Sequence, residues 1–134
     1  MTTKVDVSSF IPIYEQVKRE MKSRILRGIL KPRDTLPPIR DLAEELLINP
    51  NTVARAYRDL EQEGFITTRV GKGCFVSENL GELLAKEKTA GCNRIFDAAL
   101  SEAAALGLDG DELRACFEER LRLIDGRGQE EAKR

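Results

Sequence analysis

Apolar positions recur every three to four residues over three successive stretches of this chain, and the pattern then changes to two short β-type runs. Ile13, Val17, Met21 and Ile25 stand four apart, with Tyr14 and Leu26 widening the stripe, so a first helix is expected from about Pro12. Proline suits the first helical position, where its missing N–H has no partner to lose. Gly28 is placed to end that helix by taking the left-handed conformation, and Lys31-Pro32-Arg33-Asp34 reads as a turn-rich connector. A second helix is expected from about Pro38, with Leu42, Ala43 and Leu46 inward and Leu47-Ile48 closing it. Asn49 is expected to cap a third helix whose first residue is Pro50. Its inward face is Val53, Ala56, Tyr57 and Leu60, its outward face carries Asn51, Thr52, Arg55 and Arg58, and Gly64 ends it. Residues 65–69 (FITTR) and 74–77 (CFVS) are the β-type runs, joined by Val70-Gly71-Lys72-Gly73. The glycines of that loop allow positive φ and a close approach of backbone to a partner.

Helix, tight turn, helix, hairpin is the order of a winged helix-turn-helix, a module that lays its second helix of the pair in the DNA major groove. Beyond Glu78 the pattern is helical over residues 80–124. Ile95, Phe96, Ala99, Leu100, Ala103 and Leu106 make one wide apolar face, and Gly107-Leu108 interrupts it. Asp109 with Glu112 three residues on forms a variant of the capping box, opening a last helix with Leu113, Cys116, Phe117, Leu121 and Ile124 on one side. Residues 127–134 read as a frayed polar tail. The fold class expected is therefore mainly α with a small β hairpin. A winged helix-turn-helix spans 1–79, and a C-terminal antiparallel helical domain, read as a dimerisation domain, spans 80–134.

Composition narrows the function. There is no His among the 134 residues, which removes Ser-His-Asp and Cys-His catalysis. The three cysteines, Cys74, Cys92 and Cys116, contain no CxxC pair, so a zinc module is not expected; they read as buried thiols. No cofactor and no metal are implied, and the carboxylate pairs at Glu44-Glu45, Glu61 with Glu63 and Glu118-Glu119 fit solvated helix faces rather than an active site. The net charge of −1 is unevenly placed: 13 basic and 11 acidic residues lie up to residue 79, and 9 and 12 after it. That asymmetry fits nucleic-acid binding by the N-terminal part, although a local basic face matters more than net charge. No apolar run approaches the roughly 18 residues of a membrane span, and the first residues lack the apolar core of a signal peptide, so a cytoplasmic protein with no membrane partner is expected.

The segments IPIYEQV, LPPIRDLAEEL, NPNTVARAYRDLEQEGFI and RVGKGCFV together resemble the DNA-binding domain of the GntR family of bacterial transcriptional regulators, over about residues 11–77. The short helical tail resembles that of the YtrA-like subfamily, in which it serves dimerisation. The resemblance implies a homodimeric regulator, a repressor by its mode, on a two-fold symmetric double-stranded operator, answering to an unidentified small-molecule effector. Three positions depart from the family pattern. Pro32-Arg33 stands for Pro-Gly, Leu36-Pro37-Pro38 for Leu-Pro-Ser, and Gly73-Cys74-Phe75-Val76 for Gly-Thr-Phe-Val. The second removes a hydroxyl that could cap a helix or touch phosphate.

The DNA-binding candidates are Arg40, Asn49, Pro50, Asn51, Thr52, Arg55, Arg58, Arg69, Gly71 and Lys72. Asn51 and Thr52 sit where free backbone N–H groups and the positive end of a helix dipole favour phosphate or a base acceptor. Asn bonds adenine bidentately, Thr meets a thymine methyl, and Arg55 one turn on reaches a guanine edge or the backbone. Arg40 is a base or phosphate contact by resemblance. Gly71 and Lys72 lie at the wing tip, facing the minor groove or phosphate. Each has a plainer reading: Asn49-Pro50 as a cap alone, the glycines as turn formers, the single cations as solvated charge. The apolar stripe of the tail fits a dimer seam better than a ligand pocket, because two helices cannot bury both faces by themselves. The alternative function is a winged-helix adaptor that binds protein without specific DNA recognition.

Overall fold

The computed structural model describes residues 4–132, with side chains to residue 126. Its elements are α1 (Ile13–Leu26), α2 (Ile39–Leu46), α3 (Pro50–Gln62), β1 (Ile66–Arg69), β2 (Gly73–Val76), α4 (Gly81–Ala104) and α5 (Gly110–Ala132). The chain forms two compact units, one running to Lys88 and a second beginning at Thr89.

In the first unit, Val17, Met21 and Ile25 of α1 meet Leu42 and Ala43 of α2 and Val53, Ala56, Tyr57 and Leu60 of α3. Phe65, Ile66 and Val76 of the hairpin close this core. Each Val, Leu, Ile, Met or Phe among them contributes roughly 1.5–3 kcal/mol when fully removed from water. α1 ends as the sequence suggests. Gly28 takes φ +75°, and the N–H groups of Ile29 and Leu30 both donate to Arg24 O, at 2.9 and 3.0 Å. α2 closes on Leu47, which holds the left-handed conformation (φ 56°, ψ 46°) and lets Ile48 N–H donate to Ala43 O at 3.0 Å. That reversal fits α2 and α3 into the tight turn of the pair. The Tyr57 hydroxyl then donates to Pro37 O at 2.7 Å, tying α3 to the segment leading into α2.

β1 and β2 pair antiparallel with Ile66 opposite Val76 and Arg69 opposite Gly73. The connector before α2 is more than a turn. Val76 N–H donates to Asp34 O (2.8 Å), Arg33 N–H to Val76 O (2.9 Å) and Leu36 N–H to Cys74 O (2.9 Å), with a bridge between Thr35 and Phe75. The segment thus lies along β2 as a short third strand. Leu36, 4% exposed, anchors it in the core.

The sequence pattern changes at residue 80, but the first unit reaches Lys88 because Leu80 is buried and Leu83 and Leu84 pack on its core. α4 begins within this unit and continues into the second. In the second unit the chain reverses at Gly107 (φ +87°). The capping box forms in both directions: Glu112 N–H donates to Asp109 Oδ1 (2.9 Å) and Asp109 N–H to Glu112 Oε1 (3.2 Å). Phe96 of α4 and Phe117 of α5 meet edge to face with ring centres 5.7 Å apart. Two expectations are corrected. α5 continues through Ala132, so the segment read as a frayed tail is helical at least to that point; Glu130, Glu131 and Ala132 are strong helix formers and no proline intervenes. The cysteines are not buried thiols: Cys92 and Cys116 are exposed and Cys74 is half-buried. The faces of α4 and α5 that carry Cys92 and Cys116 are uncovered in the single chain.

Candidate nucleic-acid interface

α3 is amphipathic by construction. Its core residues fall on one side, and Asn51, Arg55 and Arg58, spaced four and three apart, share the exposed opposite side. Thr52 is half-buried at its margin. Asn49 caps the helix: its Oδ1 accepts the Asn51 N–H at 2.8 Å. Thr52 N–H donates to Asn49 O at 2.9 Å, and Pro50 has no N–H. The first turn of α3 therefore does not present the free Asn51 and Thr52 amides expected from sequence. The asparagine cap consumes one, and a tight first turn the other. What this end offers an anion is its side chains and the helix dipole.

Arg40 is exposed in the first turn of α2, and Asn49 and Pro50 are exposed at the entry to α3. The substituted Pro38 precedes α2 with no side-chain cap, as the loss of a serine there implies. On the wing, Arg69, Gly71 and Lys72 are exposed, and Val70 is fully so. Gly71 and Gly73 hold φ +76° and +101°, and Lys72 N–H donates to Arg69 O at 3.0 Å, which makes the tip a tight turn that other residues enter only with strain. Cys74, in place of the family threonine, faces Thr68 across the hairpin, Sγ to Oγ1 3.5 Å.

The cations of α1 and those of the candidate interface differ in their pairing. Lys18 and Lys22 reach Glu63 at 2.8 and 3.1 Å, Lys22 also reaches Glu87 at 3.0 Å, and Arg24 reaches Glu20 at 3.1 Å. Burial opposes ionisation of Glu63, but hydrogen bonds from Lys18 and Lys22 outweigh it and hold the carboxyl below its ordinary value; the same bond raises Lys18. By contrast Arg40, Arg55, Arg58, Arg69 and Lys72 make no ion pair among the described residues. Two of them rest on aromatic faces instead. The Arg55 guanidinium carbon lies 3.7 Å from the centre of the Tyr14 ring, and that of Arg69 lies 5.3 Å from the Phe75 ring. An anion approaching this set meets charge that the protein has not already neutralised.

Sequence reasoning missed Tyr14 as a partner of Arg55, having placed it on the apolar stripe of α1. No local signal links two positions so far apart in the chain. It also missed the strand-like run of the connector, whose only cue was Leu36. Among the described residues, no group of three or more cysteine and carboxylate side chains is arranged to hold a metal ion. None of the helices there is long and apolar enough to cross a membrane.

In the second unit, Ile95, Phe96, Ala99, Leu100, Cys116, Phe117, Leu121 and Ile124 are exposed, and Ala103 and Leu113 are half-buried. Ile95 is 60% and Ile124 61% exposed, so the apolar faces read from the sequence remain open to solvent in one chain.

Three stacked helices, a paired hairpin and an unneutralised cationic set define a winged helix-turn-helix protein of the DNA-binding class. Residues 13–76 match the family described as "Bacterial regulatory proteins, gntR family". The chain is 38% identical over 115 residues to the HTH-type transcriptional repressor YtrA of Bacillus subtilis (strain 168), an alignment covering 86% of this chain and 88% of that protein. Its fold is similar to that of a GntR family transcriptional regulator from Listeria monocytogenes, with a TM-score of 0.75 and 28% identity over 86% of this chain and 98% of that one. AraR(DBD), solved in complex with operator ORE1, matches at TM-score 0.50 and 27% identity over 57% of this chain and 94% of that one. This chain belongs to the gntR family of bacterial transcriptional regulators and is similar to YtrA across most of its length.

Proposed function

We propose that the protein is a cytoplasmic repressor that binds a two-fold symmetric operator as a homodimer. The observation that carries this reading is the unpaired set Arg40, Arg55, Arg58, Arg69 and Lys72 on the helix pair and wing, while the cations packed behind it on α1 are neutralised within the fold. α3 enters the major groove with Asn51, Thr52, Arg55 and Arg58 toward the bases and backbone, and Arg40 adds a contact from α2. Gly71 and Lys72 bring the wing tip to phosphate or the minor groove. Asn49 and Pro50 fix where α3 starts. The uncovered apolar faces of α4 and α5 bring two copies together, so that two α3 helices address major-groove faces about 34 Å or a multiple of it apart. The family and the repressor name of YtrA support the regulatory role, and the operator complex of AraR(DBD) supports the use of this domain on DNA.

The test is selection from a random duplex library, followed by anisotropy on the enriched duplex at several salt concentrations. Arg55→Ala and Lys72→Ala should each weaken binding, and Lys72→Ala should reduce the slope of log K against log salt by about one. Unchanged binding in both variants, with the fold intact, contradicts this reading and favours a protein-binding adaptor.

A further inference from the structure

Among the described residues, Arg55 is the one cation of the outward α3 face that rests on an aromatic ring. Its guanidinium lies in van der Waals contact with the Tyr14 ring of α1, 3.7 Å from guanidinium carbon to ring centre. Tyr14 is half-buried, so its own position is fixed by the packing of α1, whereas Arg55 is exposed. Contact with a ring face and contact with a carboxylate have different consequences for an arginine. A carboxylate takes up N–H donors and cancels charge. A ring face takes up neither, because the donors lie in the guanidinium plane and the attraction is to the π quadrupole. Among the described residues Arg55 makes no ion pair and its side chain no hydrogen bond, so its full fork of donors remains available. A flexible arginine loses rotamer freedom when it engages a base edge; one already laid on a ring has lost part of it before binding.

We propose that Tyr14 is a specificity-determining positioning residue: its ring holds Arg55 in a preorganised pose, with its donors free, for planar recognition of a guanine edge. This rests on the DNA-binding reading above. The benefit appears as discrimination, since a loose cation serves any duplex through its charge while a fixed fork serves one geometry.

The experiment uses the full chain and two readouts. In the DNA-free protein, NMR follows the Arg55 side-chain signals. They should carry an upfield ring-current shift that Tyr14→Phe keeps and Tyr14→Leu removes. On the duplex enriched with the unaltered chain, Tyr14→Leu should weaken binding by about tenfold, within the range of cation–π contacts, and leave affinity for an unrelated duplex unchanged. Tyr14→Phe should restore it. In the Arg55→Ala background Tyr14→Leu should cost nothing more. An equal loss in both backgrounds, or an equal loss on specific and unrelated DNA, assigns Tyr14 a merely structural role and overturns the proposal. Absence of the ring-current shift overturns it without touching the DNA-binding reading. A normal shift with Arg55→Ala bound as tightly as the unaltered chain removes Arg55 from the interface and overturns the proposal, while the DNA-binding reading falls only if Lys72→Ala is also without effect.

Discussion

Arg33 and Leu47 hold φ values of +75° and +56°, a region that costs a residue with a Cβ roughly 1–2 kcal/mol. At both places a turn imposes the conformation: Arg33 leads the connector into its pairing with β2, and Leu47 lets α2 reverse into α3. The Arg33–Glu78 ion pair, 3.0 Å between exposed groups, returns little of that cost. Arg33→Gly and Leu47→Gly should therefore each stabilise the fold by about 0.5–1 kcal/mol, the gain being reduced by the extra freedom of glycine in the unfolded chain. Denaturant titration checks this, and a lower midpoint in both variants contradicts it. Tyr57 presents the opposite case. Burial pushes its phenol well above the ordinary tyrosine value, and its hydroxyl satisfies Pro37 O. Tyr57→Phe should cost about 1–2 kcal/mol by leaving that carbonyl without a partner. Residue-scale reading from sequence was good where one residue type has one local use, as with Asn49 and Gly28. It failed where the partner is remote: the Tyr14–Arg55 contact and the orientation of the cysteines depend on packing between distant segments.

At the scale of elements, periodicity located every helix of the first unit to within a residue or two, because each has a narrow buried face and a marked end. The strand-like connector was less legible, since Pro32 and Asp34 signal a turn and only Leu36 reports the burial that holds it to β2. The α3 cap is a joint between fold and site. Asn49→Ala should destabilise by about 1 kcal/mol, read as a lower thermal midpoint. It should also weaken DNA binding, because the first turn of α3 carries Asn51 and Thr52. The Glu63 cluster joins α1, α3 and the start of α4. Glu63 has a lowered folded-state pKa, so its stabilisation is complete above the ordinary carboxyl value of 4.5 and is lost as pH falls through the lowered one. Lys18 is raised, so its share holds at neutral pH and is lost only as pH rises beyond 10.5. Glu63→Gln should lower the thermal midpoint at pH 7 and flatten the fall in midpoint below pH 4.5. A variant that keeps the unaltered chain's acid profile contradicts the assignment.

On the scale of the whole molecule, the presence of two compact units was legible because the hydrophobic pattern itself changes. The position of the boundary between them was not, as Leu80, Leu83 and Leu84 look in sequence like the start of the tail but pack on the first unit. A truncation meant to isolate that unit should therefore end after Lys88 rather than before Leu80. The uncovered faces of α4 and α5 fit the proposed association of two chains through the second unit. Leu121→Glu with Ile124→Glu, both at exposed positions, should leave helix content unchanged and dissociate the protein to monomers. The most direct measurement of the central claim is the stoichiometry and symmetry of the DNA complex: sedimentation of the unaltered chain on its enriched duplex, with each half-site inverted or removed in turn. Two chains on one two-fold symmetric site, and a large loss of affinity when either half is removed, are predicted. A single chain bound to an asymmetric site, or no enriched duplex for a folded protein, contradicts the account.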